Sequence, residues 1–226
     1  MKRIVVFFNV VLIIIILYAC GNNSTKSIDL PQITLKSKTY LDTTKQVSIK
    51  LNLPSDHLLD NTEKKDFLNV VFNEKFDNAD SLIEIAFKNY RNMSAEVRVL
   101  YINDKVISAK FITKNWIEGG DTLVNNNYIS YLRNLKKKLT IRDIINTHSE
   151  VDQLAEKINR NTKGDVFLSP DVDITVLGNH IVFHYDRLYQ RELNVSLPLD
   201  EILEEFNKFK LIYNEELCFK IFPQYS

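Results

Sequence analysis

The chain has 226 residues, and its 29 Lys and Arg balance its 29 Asp and Glu to a formal net charge of +0. That balance leaves no basic footprint for nucleic acid. Five Gly, at positions 21, 119, 120, 164 and 178, supply no Gly-rich loop that would cradle a phosphate, so a nucleotide site is not expected.

Met1-Lys2-Arg3 is a short positive start, and Ile4 to Leu17 is apolar apart from Asn9. A charged start, a short apolar run and a small residue before a cut make an export signal. The run is shorter than the roughly 20 residues a spanning helix needs. Residues 1–19 therefore read as a cleaved signal peptide. Leu17-Tyr18-Ala19-Cys20 resembles the lipobox of bacterial lipoproteins, although Tyr18 is bulkier than the residue usual before Ala. The resemblance implies that the Cys20 thiol is acylated and the chain cut before it. At ~0.8 kcal/mol per buried methylene, two or three acyl chains hold a protein on a membrane. Cys218, the second of only two Cys, then has no partner within the chain, so the fold uses no disulfide. It lies between Leu217 and Phe219, where a buried inert thiol is expected.

Residues 20–34 read as the lipidated Cys and a polar tether, and 35–226 as a single domain. In that domain Val47, Ile49, Leu51 and Leu53 alternate with polar residues, a half-buried strand ended by Pro54. Asp60 and Glu63 have capping-box spacing ahead of Phe67, Leu68, Val71, Phe72 and Phe76 at helical intervals. Asp80 caps a second expected helix over Leu82, Ile83, Ala86, Phe87 and Tyr90. Val97, Val99 and Tyr101 lead through Asn103-Asp104 into a strand over 106–112. Trp116 to Asp121 is a loop, and Thr122 to Arg133 another strand. Thr140 opens a short helix over Ile141, Ile144 and Ile145, and Ser149 with Asp152 caps a longer one over Val151, Leu154, Ala155 and Ile158. Val172 to Leu177 and His180 to Tyr185 flank a Gly178-Asn179 turn. Leu193 to Leu197 follows, and Pro198 opens a last helix over Leu199, Ile202, Leu203 and Phe206. Strands and helices without regular alternation give an α+β fold: a mixed, mostly antiparallel sheet with helices packed on it.

No HExxH, GxSxG or Cys/His cluster occurs, so no cofactor or metal is expected. His180 and His184 stand four apart, but in a strand that separates them by roughly 13 Å, too far for one ion. They read as two solvent-facing histidines. Asp171 and Asp173 lack the six to eight oxygens of a calcium loop and read as a solvated pair at a strand start. Lys136-Lys137-Lys138 reads as a solvated turn, with contact to an anionic lipid or glycan as the alternative. The stretch that stands out is the loop of Trp116, Glu118, Gly119, Gly120 and Asp121, with Tyr128 nearby. A lone Trp and two carboxylates on a Gly-hinged loop make a candidate contact surface; the alternative is a flexible turn with Trp116 half-buried.

The order of segments resembles the extracellular domain of RsiV-like anti-sigma factors, from about Lys36 to Phe209. Four stretches carry the likeness: VSIKLNLP at 47–54, KVISAKFITKNWIEGGD at 105–121, NNYISYLRNLKKKLTIRDII at 126–145 and DITVLGNHIVFHYDRLYQRELNVSLPLDEILEEF at 173–206. That family binds lysozyme, and similar modules stand beside peptidoglycan deacetylases or alone in envelope proteins. The family's frequent Ala-His after the Gly pair is replaced here by Asp121-Thr122, so no role of that His carries over. Only Met1 to Arg3 precede the apolar run and no deacetylase segment is attached, so neither sigma-factor control nor catalysis is expected.

The expectation is thus a lipid-anchored envelope protein, on the cell membrane or the outer membrane, acting as a non-catalytic binding module for lysozyme or a cell-wall glycan. Two alternatives are a wall hydrolase using Asp171, Asp173 or Glu118, and a structural or assembly lipoprotein with an envelope protein as partner.

Overall fold

A computed structural model describes residues 33–75, 81, 84–85, 87–88, 91–116, 120–162, 168–170, 172–185 and 193–214. The expected signal peptide, Cys20 and Cys218 lie outside these residues, as do Phe76, Asp80, Leu82, Ile83, Ala86, Tyr90, Glu118, Gly119 and Asp171.

Six strands stand side by side in chain order: β1 (Leu35–Asp42), β2 (Val47–Pro54), β3 (Met93–Ile102), β4 (Val106–Trp116), β5 (Thr122–Leu132) and β6 (Lys137–Lys138). Neighbours are antiparallel except β2 and β3, which run parallel. The parallel pair needs a crossover, and α1 (Asn61–Phe72) lies in it. A second, antiparallel sheet holds β7 (Asp173–Leu177), β8 (His180–Tyr185) and β9 (Leu193–Pro198). The remaining helices are α2 (Ile141–Ile144), α3 (His148–Arg160), α4 (Leu199–Glu205) and α5 (Asn207–Tyr213). The fold is α+β as expected; the division into two sheets is new information.

Side-chain alternation in β4 and β5 explains how the sheets meet. Ile107, Ala109, Ile129 and Tyr131 point one way and join Phe67, Leu68 and Val71 of α1 in one core. Val106 and Leu132 point the other way, into a second core with β7–β9 and the later helices. Each fully buried Leu, Ile or Phe in these clusters contributes about 1.5–3 kcal/mol relative to exposure. Where β7 crosses β4 and β5, Ser108 and Ser130 take up the Val176 backbone.

The local caps follow the sequence with two changes. Asp60 accepts the Glu63 N–H at 2.8 Å, but the Glu63 carboxylate turns to Arg133, its Oε2 accepting at 2.7 Å, instead of closing a box. The cap of α3 is Thr147, not Ser149 or Asp152: its hydroxyl accepts the Glu150 N–H at 3.3 Å and Glu150 accepts the Thr147 N–H at 3.0 Å.

Candidate functional site

The expected surface divides along one face of the large sheet. Trp116 ends β4 opposite Thr122 and is 47% exposed, while Gly120, at φ 93°, and Asp121 are exposed beside it. That positive φ is one that glycine adopts at little cost. Tyr128 pairs with Lys110, six residues farther along β5 than Thr122. At about 3.3 Å per residue this places it roughly 20 Å from the Trp116 end. Strand parity keeps Lys110, Ile112, Lys114 and Trp116 of β4 on one face with Thr122, Val124, Asn126 and Tyr128 of β5. The face is continuous, but Tyr128 is not beside the loop.

Tyr128 belongs instead to a ring column between the two sheets. Its ring stacks on His184 with centroids 3.7 Å apart and planes parallel, and Lys110 Nζ lies 4.9 Å from its centroid. His184 is buried: Nδ1 is 2.7 Å from Asn194 Oδ1 and Nε2 is 2.6 Å from Thr175 Oγ1. With the Asn194 oxygen as acceptor, Nδ1 carries the proton and Nε2 accepts from the hydroxyl. Thr175 is itself fully buried, so this chain orients the imidazole and presents no nucleophile to a ligand. The solvent-facing reading of His184 is therefore corrected: the second sheet and β5 cover it. His180 is half-buried, and its Nδ1 has no partner among the described residues.

Asp173 is likewise not in solvent. Tyr128 donates its N–H to Oδ2 at 2.7 Å, and Lys138 donates to Oδ1 at 2.9 Å. The lysine run is solvent-exposed where the turn after β5 enters β6, as expected, but each ammonium has a carboxylate partner. Lys136 pairs with Asp66 of α1 at 3.0 Å, Lys137 with Asp143 of α2 at 2.5 Å, and Lys138 with Asp173 of β7.

A cavity of about 400 Å³ opens beside the ring column, lined by Asn125, Asn126, Tyr128, Ser169, Tyr185 and Asn194 among others. Its wall is rich in amides and hydroxyls, groups that both donate and accept. The Tyr185 ring packs against the second core, away from the open cavity, and its buried hydroxyl has no hydrogen-bond partner among the described residues. Burial pushes its pKa up to about 12, so the phenol keeps its proton and remains a donor. The cavity was not foreseen, although Asn125-Asn126-Asn127 carried a signal. Asn is depleted in strands, and three in succession inside one need a reason. A larger groove of about 890 Å³ runs between α1 and β5–β6, with the Lys136–Asp66 pair on its wall. No group of three His, Cys, Asp or Glu placed to hold a metal occurs among the described residues.

No family model matches the chain, and no curated protein matches it. Among solved structures, the crystal structure of a DUF3298 family member from Bacteroides fragilis is similar at a TM-score of 0.50 and 11% identity, over 79% of this chain and 93% of that one. A DUF3298 family protein from Pseudomonas aeruginosa PAO1 is similar at a TM-score of 0.45 and 13% identity, over 78% and 94%. The structural neighbours are thus DUF3298 family proteins, domains related to the RsiV-like ones. At these identities the likeness is one of fold.

Proposed function

We propose that this chain is a lipid-anchored envelope protein whose domain binds an extended glycan without acting on it. The observation that carries the reading is the cavity of about 400 Å³ walled by Asn125, Asn126 and Asn194 beside the Tyr128–His184 ring column. Sugar rings present hydroxyls for amide walls and apolar faces for aromatic rings. Trp116, exposed on the same sheet face, supplies such a ring at the far end. Both Asp173 oxygens are engaged by protein groups, which argues against a role as a hydrolytic acid.

The test is sedimentation of the chain with purified wall polysaccharide. Asn126→Ala, which removes an amide from the cavity wall, should weaken binding about fivefold. Undiminished binding in Asn126→Ala and in Trp116→Ala would refute the site. Release of sugar fragments by the wild type would refute the non-catalytic reading. The anchor is tested separately: Cys20→Ser should move the chain from the membrane to the soluble fraction and abolish palmitate labelling.

A second reading has an observation of its own. Trp116, Leu123 and Val124 at the tip of the β4–β5 hairpin are 47%, 50% and 47% exposed, an apolar tip suited to docking a protein. The resemblance to lysozyme-binding modules names the first protein to titrate. Micromolar binding to lysozyme, lost in Trp116→Ala, would favour it over the glycan.

A further inference from the structure

β5 is longer than its cover. It runs from Thr122 to Leu132, but β6 pairs only with Tyr131 and Leu132. Tyr128 donates its N–H outward to Asp173, and Ser130 accepts outward from the Leu139 N–H at 2.7 Å. Backbone direction alternates along an antiparallel strand, so Thr122 and Val124 also aim N–H and C=O outward. Among the described residues no strand meets them there. Thr122 to Asn125 are all exposed. Proteins blunt an open edge with charge or proline. β1, the opposite edge of the sheet, carries Lys36 and Lys38, whereas Thr122 to Asn125 carry neither device.

We propose that this edge takes up an extended segment of a partner protein as an added strand. The proposal rests on the protein-docking reading above, gives it a mode, and is independent of the glycan reading. An edge of outward N–H and C=O groups is matched by another extended backbone, with pockets for alternate side chains setting the choice. Both flanks of this edge are hollow. The 400 Å³ cavity and the 890 Å³ groove share Asn127 and Asp173, so they lie on either side of the same stretch of β5. Strand parity turns Leu123 and Asn127 to the α1 face, where Ile129 and the Phe72–Phe111 pair, with centroids 4.9 Å apart, line the groove. It turns Val124 and Asn126 to the other face, beside the amide wall. Successive side chains of an added strand go to opposite faces. The segment therefore carries apolar residues at every second position and polar ones between. Asp173 closes the lane at Tyr128, accepting its N–H as a strand carbonyl would. Pairing over Thr122 to Asn125 covers only roughly 13 Å. That suits a short segment and not a second copy of this chain, since stable interfaces bury about 1,200–2,000 Å².

The experiment selects a displayed library of random octapeptides on the full chain, held in detergent. Enriched peptides should carry apolar residues at alternate positions. They should bind Val124→Pro at least about fivefold more weakly, because proline deletes an outward donor and spares the ladder to β4. A second measurement leaves the protein unchanged. N-methylation of every second amide of an enriched peptide should abolish binding in one phase and leave it intact in the other, since an added strand bonds through one edge. Equal effects in the two phases overturn strand addition. Peptides that are lost in Trp116→Ala but indifferent to methylation and to Val124→Pro also overturn it, and leave the docking reading standing. No enrichment overturns it as well, and titration with lysozyme then decides the docking reading alone.

Discussion

Ser108, Ser130 and Val176 show how much a single residue decides here. A fully buried serine in a strand is costly unless its hydroxyl is used, and two of them face each other across β4 and β5. Val176 donates its N–H to Ser130 Oγ at 2.9 Å, the two hydroxyls lie 2.7 Å apart, and Ser108 donates to the Val176 carbonyl at 2.7 Å. Each group in this ring has a role, and the ring joins the two sheets. Ser108→Ala strands the carbonyl and should cost about 1–3 kcal/mol. Ser130→Ala should cost less, since Ser108 Oγ also lies 3.2 Å from the Val176 nitrogen. The double variant should differ from the sum of the singles by about 0.5 kcal/mol or more, as groups in one network do. Urea midpoints of the three variants check this; strict additivity would mean the serines act separately.

Among elements, what could be read in advance followed periodicity and turn chemistry. The alternation in β2 through β5, the Asn103 turn whose Oδ1 accepts from Lys105 and Val106 N–H, and the Gly178 turn at φ 61° all behave as their residues dictate. β1 was not visible: LKSKTYLD is mostly polar, because an edge strand with one neighbour buries little and its lysines discourage further pairing. The helix expected over Leu199 to Phe206 is α4, but α5 was not foreseen: Phe206 takes extended backbone and a new helix starts at Asn207. The chain bends so that Phe206, Phe209 and Ile212 all reach one core, a tertiary demand that local spacing does not reveal. The site was only partly legible for a related reason. Trp116 announces itself by type, but the His184 column and the cavity exist only once β8 is laid against β5. Likewise the three lysines of 136–138 meet aspartates from α1, α2 and β7, partners far away in sequence.

At the scale of the molecule, the two cores are not independent. Alternate residues of the same strands serve both: Val106 and Leu132 one core, Ile107 and Tyr131 the other. Melting either core would leave β4 and β5 with one apolar face exposed, so the domain should unfold in a single cooperative transition. Phe67 tests this from one side only. It is fully buried and meets Tyr131 edge to face, with centroids 6.0 Å apart, in the core under α1. Phe67→Ala should cost about 3–5 kcal/mol. Hydrogen exchange read separately on β3 and on β8 distinguishes the outcomes. If both lose protection by the same free energy, the shared strands couple the cores and the face that carries Trp116 stands on one rigid unit. If β8 keeps its protection while β3 loses it, the molecule consists of two stability units meeting at the serine joint, and the cavity between β5 and β8 would open along that seam.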